Sequence, residues 1–424
     1  MSGPIPVGLL PEHATVGESG ELRIGGCDVA ELAEAYGTPL FIYDEQGLRN
    51  RCREATAVFG ERATYAAKAF LCRAMVRLVM EEGMSIDVAS GGELGIALAA
   101  GAPPERIHLH GNNKSSRELA AAMDAGVGRI IVDSLEEIDR IERLVAQRHR
   151  APRVLLRLTP GVKAETHEFV ATGHDDSKFG FTVSTGAAAT AVERADASAA
   201  MDLVGLHVHI GSQVFDADSF AKALAVMAEV IEPWDLPELV LGGGLGVPYV
   251  TGETAPTITE WAEALEQTAL DLGITAKLGV EPGRAIAARA AVTVYRVGTI
   301  KRLPDIRTYV AVDGGMSDNP RPVLYGSGYE AFLPRAVQAA RPQMVRIVGK
   351  HCESGDILVR EAAVPGDLAV GDLLATAVTG AYGHSMGSNY NKIARPPVVF
   401  CAEGDARLVV RRETLDDLLA ADVG

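Results

Sequence analysis

The chain has little of what marks exported, metal-stapled or polyanion-binding proteins. Its 424 residues hold five cysteines, Cys27, Cys52, Cys72, Cys352 and Cys401, far apart and without a C-x-x-C pair. That excludes a structural zinc knuckle and fits free thiols in a reducing cytoplasm. Positive charge is scarce: 40 Lys and Arg stand against 56 Asp and Glu, a formal net charge of -16. A surface of that sign repels polyanions, so neither nucleic acid nor an anionic membrane is an expected partner. No apolar run approaches the length of a membrane span. The opening "MSGPIPVGLLPEH" has neither the basic region nor the apolar stretch of a signal peptide. Internal repeats, low-complexity tracts and linkers are absent too.

What remains is a globular composition, 47% hydrophobic and 23% charged, in a chain long enough for two domains. From about residue 64 to 284 a regular beat runs through it. Short apolar runs begin at "TYAAKA" (64), "SIDVAS" (85), "RIHLHG" (106), "RIIVDS" (129), "RVLLRLT" (153), "LVGLHVHIGS" (203), "ELVLGGG" (238) and "KLGVEPGR" (277). Segments with helical spacing, such as "SFAKALAVMAEVI", separate them. Strands alternating with helices imply parallel pairing by right-handed crossovers. Eight of them predict a (β/α)8 barrel over residues 41–288, with an open doubly wound sheet as the other arrangement this pattern allows. After Arg284 the runs are strand-like without helices between, which predicts an antiparallel β domain over 289–424. Residues 1–40, including "ELRIGG", are expected to complete that domain, and "TPLFIYDE" to enter the barrel.

In such a barrel the functional groups stand at the C-terminal ends of the strands. There the sequence places Lys68, Asp87, His110 with Asn112, Asp133, Arg157, His207 with His209, Gly242–Gly244, and Glu281 with Arg284. Lys68 is the odd residue of "TYAAKAF", because burying an unpaired ammonium costs several kcal/mol. Either it snorkels to the surface or it forms an imine, which requires it to be neutral part of the time. "GGGLG" follows the seventh strand and reads as a tight turn or as a cradle for one phosphate; it lacks the spacing of a dinucleotide fingerprint. "HVHIGSQ" puts His207 and His209 at a spacing that could serve zinc, but no third ligand of suitable spacing follows, so no metal is expected. A histidine laid against an aromatic cofactor, with Ser212 on its phosphate, is the better use.

Together these features suggest pyridoxal phosphate. "YAAKAF", "HVHIGSQ", "GGGLG", "EPGRAI", "VDGGMSDNPRPVLY", "GKHCESGDIL" and "GAYGHSMGSNYN" resemble, in order and spacing from about residue 37 onward, the motifs of the fold-type III pyridoxal-phosphate decarboxylases, and most narrowly of those acting on diaminopimelate. The resemblance implies that Lys68 holds the cofactor as an imine and that His209 stacks on its ring. Ser212, Gly243, Gly244 and the segment Glu281, Gly283 and Arg284 would hold the phosphate, with Asp87 and Tyr382 also on the cofactor. Glu281 would keep the ring nitrogen protonated, making the ring a strong electron sink.

It further implies that Arg284, Arg321, Tyr325, Glu353 and Tyr382 read the substrate. Arg321 and Tyr325 would face a distal carboxylate, since a guanidinium fork suits that group, and Glu353 the distal ammonium. Cys352 of "CESGD" would act at Cα from the partner subunit of a homodimer with shared active sites. The implied reaction is decarboxylation of meso-2,6-diaminopimelate to L-lysine in the cytoplasm. The other readings are a relative acting on ornithine, arginine or a carrier-bound substrate, and a catalytically dead regulator, which the presence of Lys68 and Cys352 disfavours. Gly383 and His384 receive no role.

Overall fold

A computed structural model describes residues 3–162 and 173–424, which form two compact units. One comprises Arg51–Val247 and Ala255–Ala285; the other comprises residues 1–50, Pro248–Thr254 and Ile286–Gly424.

The first unit is the barrel. Its strands are β1 (Thr64–Ala66), β2 (Ser85–Val88), β3 (Ile107–Leu109), β4 (Arg129–Val132), β5 (Arg153–Thr159), β6 (Asp202–Val208), β7 (Glu238–Val240) and β8 (Lys277–Gly279). They lie side by side in chain order, all parallel, and each apolar run read from the sequence supplies one. The sheet closes on itself. Ala63 bridges Val280 in parallel, and the Thr64 N–H donates to the Val280 carbonyl at 2.8 Å. Closure removes the free edges of the open-sheet alternative. Ile131, Leu155, Val204 and Val240 form an apolar cluster from four successive strands. Helices begin where a short polar side chain caps the first turn, as at Ser115 with Glu118 and Thr257 with Glu260, both reciprocal capping boxes.

The second unit is built on a sheet of nine strands, with Leu40–Asp44 between Ala291–Leu303 and Val398–Ala402. Seven apolar runs after Arg284 become strands as read. Three details differ from the sequence reading. Leu40–Asp44, taken as the barrel's entrance, is an inner strand of this sheet; its five residues are all buried, a pattern that suits a central strand of either architecture. The sheet is also mixed rather than antiparallel throughout. Arg307–Val312 runs parallel to Gln343–Val348, and Leu40–Asp44 parallel to Val398–Ala402. Long intervening stretches let the chain return in the same direction, which a tight turn does not. "ELRIGG" does not join the large sheet: Leu22–Ile24 pairs with Ala14–Val16 and Cys27–Asp28 in a separate antiparallel sheet. No helix of the described residues is long and apolar enough to cross a membrane.

Candidate active site

Parallel strands deliver their C-terminal ends to one mouth of the barrel. β1 ends in a 3-10 turn, Ala67–Ala69, in which both alanines are buried and Lys68 between them is exposed. The lysine therefore stands at the mouth and not inside the strand. The Ala67 N–H donates to Asp87 Oδ1 on β2 at 3.2 Å, tying the turn to its neighbour. Lys68 is near enough for its charge to favour the ionised form of Asp87 and the neutral form of His209.

Two buried carboxylates in this mouth are driven apart. Burial pushes the Asp87 carboxyl well above the usual range, and the charge of Glu281 adds to it; Lys68 only partly offsets both. Burial also raises Glu281, but His110 and His207 outweigh it and hold that carboxyl well below the usual range. Glu281 Oε1 lies 2.9 Å from His110 Nε2, and Oε2 lies 3.0 Å from His207 Nε2. An ionised carboxylate only accepts, so each Nε2 carries its proton and donates. Burial lowers the His110 imidazole to about 4 and the His209 imidazole well below its ordinary value, so both are neutral at pH 7. His110, His207 and Glu281 bring ligand-type atoms within 4.8 Å of one another, the third group that the spacing of "HVHIGSQ" did not reveal. Their contacts are hydrogen bonds within the trio, and His209 stands outside it.

The glycines after β7 are required by close approach. A Cβ on Gly243 would stand 2.2 Å from the Glu281 carbonyl oxygen, and one on Gly244, at φ +117°, 2.4 Å from the Gly211 carbonyl oxygen. A Cβ on Gly283 would come within 2.8 Å of the Ala66 Cβ. The turns after β1, β6, β7 and β8 are thereby pressed together. Beside them Arg284 Nη2 donates to Ser212 Oγ at 2.7 Å, joining a guanidinium and a hydroxyl at one point.

The other unit holds the remaining residues. Arg321 and Tyr325 sit on one short helix, Arg321–Tyr325. Arg321 is 4% exposed, and its guanidinium lies 4.0 Å above the Tyr249 ring and donates to Tyr329 Oη. Its Nε is buried without a hydrogen-bond partner among the described residues. Cys352 and Glu353 are exposed in the turn between Gln343–Val348 and Ile357–Val364, whereas the other four cysteines are buried. Asp356 is buried and accepts the Met316 N–H at 2.7 Å and the His351 N–H at 2.9 Å, which shapes the turn. Tyr382 has φ +58°, a left-handed backbone that non-glycine residues adopt rarely and often at functional positions. Gly383 and His384 are packing residues: the imidazole meets Phe41 edge-on at 5.6 Å, and a Cβ on Gly383 would crowd the Thr379 carbonyl.

The family model described as "Pyridoxal-dependent decarboxylase, pyridoxal binding domain" matches residues 45–288. A diaminopimelate decarboxylase of Mycobacterium tuberculosis is 50% identical over 436 residues, covering 97% of each chain. The chain belongs to the diaminopimelate decarboxylase family. The Bacillus subtilis enzyme of that name is 44% identical, covering 96% of each chain. Among solved structures, diaminopimelate decarboxylase from M. jannaschii superposes with a TM-score of 0.89 at 32% identity, covering 97% of this chain and 98% of that one.

Pyridoxal phosphate, the cofactor of this family, fits the residues present. It needs an amine for its aldehyde, an acceptor for its ring N–H and donors for its phosphate. Lys68, the ionised Glu281, and the side-chain-free turn beside Ser212 and Arg284 are of those kinds. Sequence reasoning missed the pairing of His110 and His207 with Glu281 and the tyrosines around Arg321. His110 is 171 residues from Glu281 and Tyr249 lies far from "NPRPVLY", so no local pattern links them.

Proposed function

We propose that the chain removes CO2 from meso-2,6-diaminopimelate at its D-centre and releases L-lysine. Arg321 carries the choice of substrate. A simple diamino acid offers no distal carboxylate to answer a buried arginine, whereas diaminopimelate does. A buried donor without an acceptor, Nε of Arg321, is what an incoming carboxylate satisfies. The full-length likeness to proteins named for this substrate supports the same reading.

When bound, pyridoxal phosphate supplies the electron sink that accepts the pair left as CO2 departs. Lys68 would hold the cofactor through its side-chain amine. His209, neutral, would lie against the ring, and Glu281 would accept the ring N–H. An arginine there would favour racemisation by leaving the ring uncharged. Asp87 keeps the Lys68 turn in place through the Ala67 N–H. Ser212, Gly243, Gly244, Gly283 and Arg284 would hold the phosphate, and Tyr382 would contact cofactor and substrate. Tyr325 assists Arg321 on the distal carboxylate, while Glu353 takes the distal ammonium.

Cys352 delivers or orients the proton that returns to Cα. Its exposure, on a loop whose neighbour Glu353 is also exposed, supports a homodimer in which this loop serves the partner's barrel. A cytoplasmic site of action accords with the spaced, uncrosslinked cysteines.

Purified enzyme given meso-diaminopimelate, ornithine, lysine and arginine separately, with CO2 measured, tests the assignment. Turnover confined to diaminopimelate is expected. Faster turnover of ornithine or arginine overturns it.

A further inference from the structure

The two histidines on Glu281 have a consequence for the chemistry, given the cofactor assignment above. Glu281 follows β8, His110 follows β3 and His207 lies on β6, so three separated strands converge on one carboxylate. Each oxygen receives one N–H, which fixes both the position and the plane of the group. His207 is 1% exposed, and its Nδ1 has no partner among the described residues. The rings meet edge-on at 5.0 Å, so neither can turn away without disturbing the other.

The comparison with Asp87 shows what the arrangement does. Both carboxylates are buried in the same mouth, and only one can carry the negative charge cheaply. Among the described residues Asp87 accepts one backbone N–H, at 3.2 Å, whereas Glu281 has two imidazole donors at 2.9 and 3.0 Å. The groups acting electrostatically on Glu281 are Asp87 on β2, His108 and His110 at β3, Arg157 on β5, and His207 and His209 at β6. We propose that His110 and His207 are positioning residues that place the negative charge on Glu281, aim it at the cofactor's ring nitrogen, and so set the protonation of the ring.

The test exploits side-chain length. The glutamine amide nitrogen reaches the position of an imidazole Nε2, while the asparagine nitrogen matches Nδ1 and falls short. His207→Asn and His110→Asn are expected to lower kcat about 10- to 100-fold, the loss of a hydrogen bond to a charged group, with KM little changed. His207→Gln and His110→Gln should restore most of that. The visible absorption of each holoenzyme, followed against pH, reads the ring directly. The asparagine variants should show a transition across the neutral range that wild type and the glutamine variants lack. In a Glu281→Gln background, His110→Asn should slow turnover no further, since the histidine acts through Glu281.

Equal damage from asparagine and glutamine, or a full additional loss in the double variant, overturns the proposal and leaves a packing role. An unchanged absorption profile in the asparagine holoenzymes does so even where activity has fallen. A wild-type chain that takes up no cofactor overturns the underlying assignment as well, so the two failures are distinguishable.

Discussion

Replacing Arg321 separates two things that a buried arginine does. The residue is 4% exposed, with its guanidinium 4.0 Å above the Tyr249 ring and 5.4 Å from the Tyr329 ring centre, and Nη1 on the Tyr329 hydroxyl. Burial alone disfavours the charge, but the surrounding tyrosines reverse that and raise the guanidinium above its ordinary value, so the charge is secure at every working pH. Arg321→Ala removes a desolvated cation–π contact worth about 2 kcal/mol, and Tm should fall. It also removes the fork for the distal carboxylate. Losing one charge-assisted bond costs about 1.5–3 kcal/mol, or about one to two powers of ten in kcat/KM. Arg321→Lys keeps the cation and loses the fork, so it should recover more stability than activity. The assay is kcat/KM on meso-diaminopimelate beside residual turnover of lysine, which has no distal carboxylate. The diaminopimelate value should fall by at least tenfold more than the lysine value, a ratio of about 1.4 kcal/mol. Equal losses on both substrates refute Arg321 as the carboxylate reader and leave it as a packing cation.

Lys68→Ala should give a protein that no longer fixes pyridoxal phosphate on borohydride treatment and has nearly no turnover; retention of a reducible yellow adduct would contradict its role. Unfolding, mixing and refolding Lys68→Ala with Cys352→Ala should restore roughly a quarter of wild-type activity if sites are shared in a two-fold dimer. Mixed dimers that form without recovery rule sharing out. Asp318 supplies a pH test of stability, because burial pushes its carboxyl up to about 7 despite the bond from the Gly315 N–H at 3.0 Å. The folded chain then holds a proton that the unfolded chain loses near about pH 4, so stability falls as pH rises between the two values. Asp318→Asn keeps an acceptor and removes the charge. Its Tm advantage over wild type should widen from about pH 5 to about pH 8, and a constant difference would refute the assignment.

Much of this molecule is written locally. Eight apolar runs alternating with helical segments predict the parallel barrel because a period of two residues and one of 3.6 cannot share a segment. The same order puts Lys68, Asp87, His209, Glu281 and Arg284 at one mouth, since parallel strands align their ends. Glycines 243 and 244 are likewise legible, as only glycine admits the backbone approaches found there.

Other features arise only when distant parts of the chain meet. "LFIYD" is buried whichever sheet it joins, and pairing with Ala291–Val294 and Val398–Cys401 decided for the β unit. Asp87 and Glu281 are the same kind of group at the same kind of position in the sequence. Two histidines, 171 and 74 residues from Glu281, make one of them an anion and leave the other to its burial. Sequence determined which residues stand at the mouth, because strand order follows chain order. Tertiary structure decided their charge, because ionisation in a buried site depends on donors that barrel closure brings within 3.0 Å.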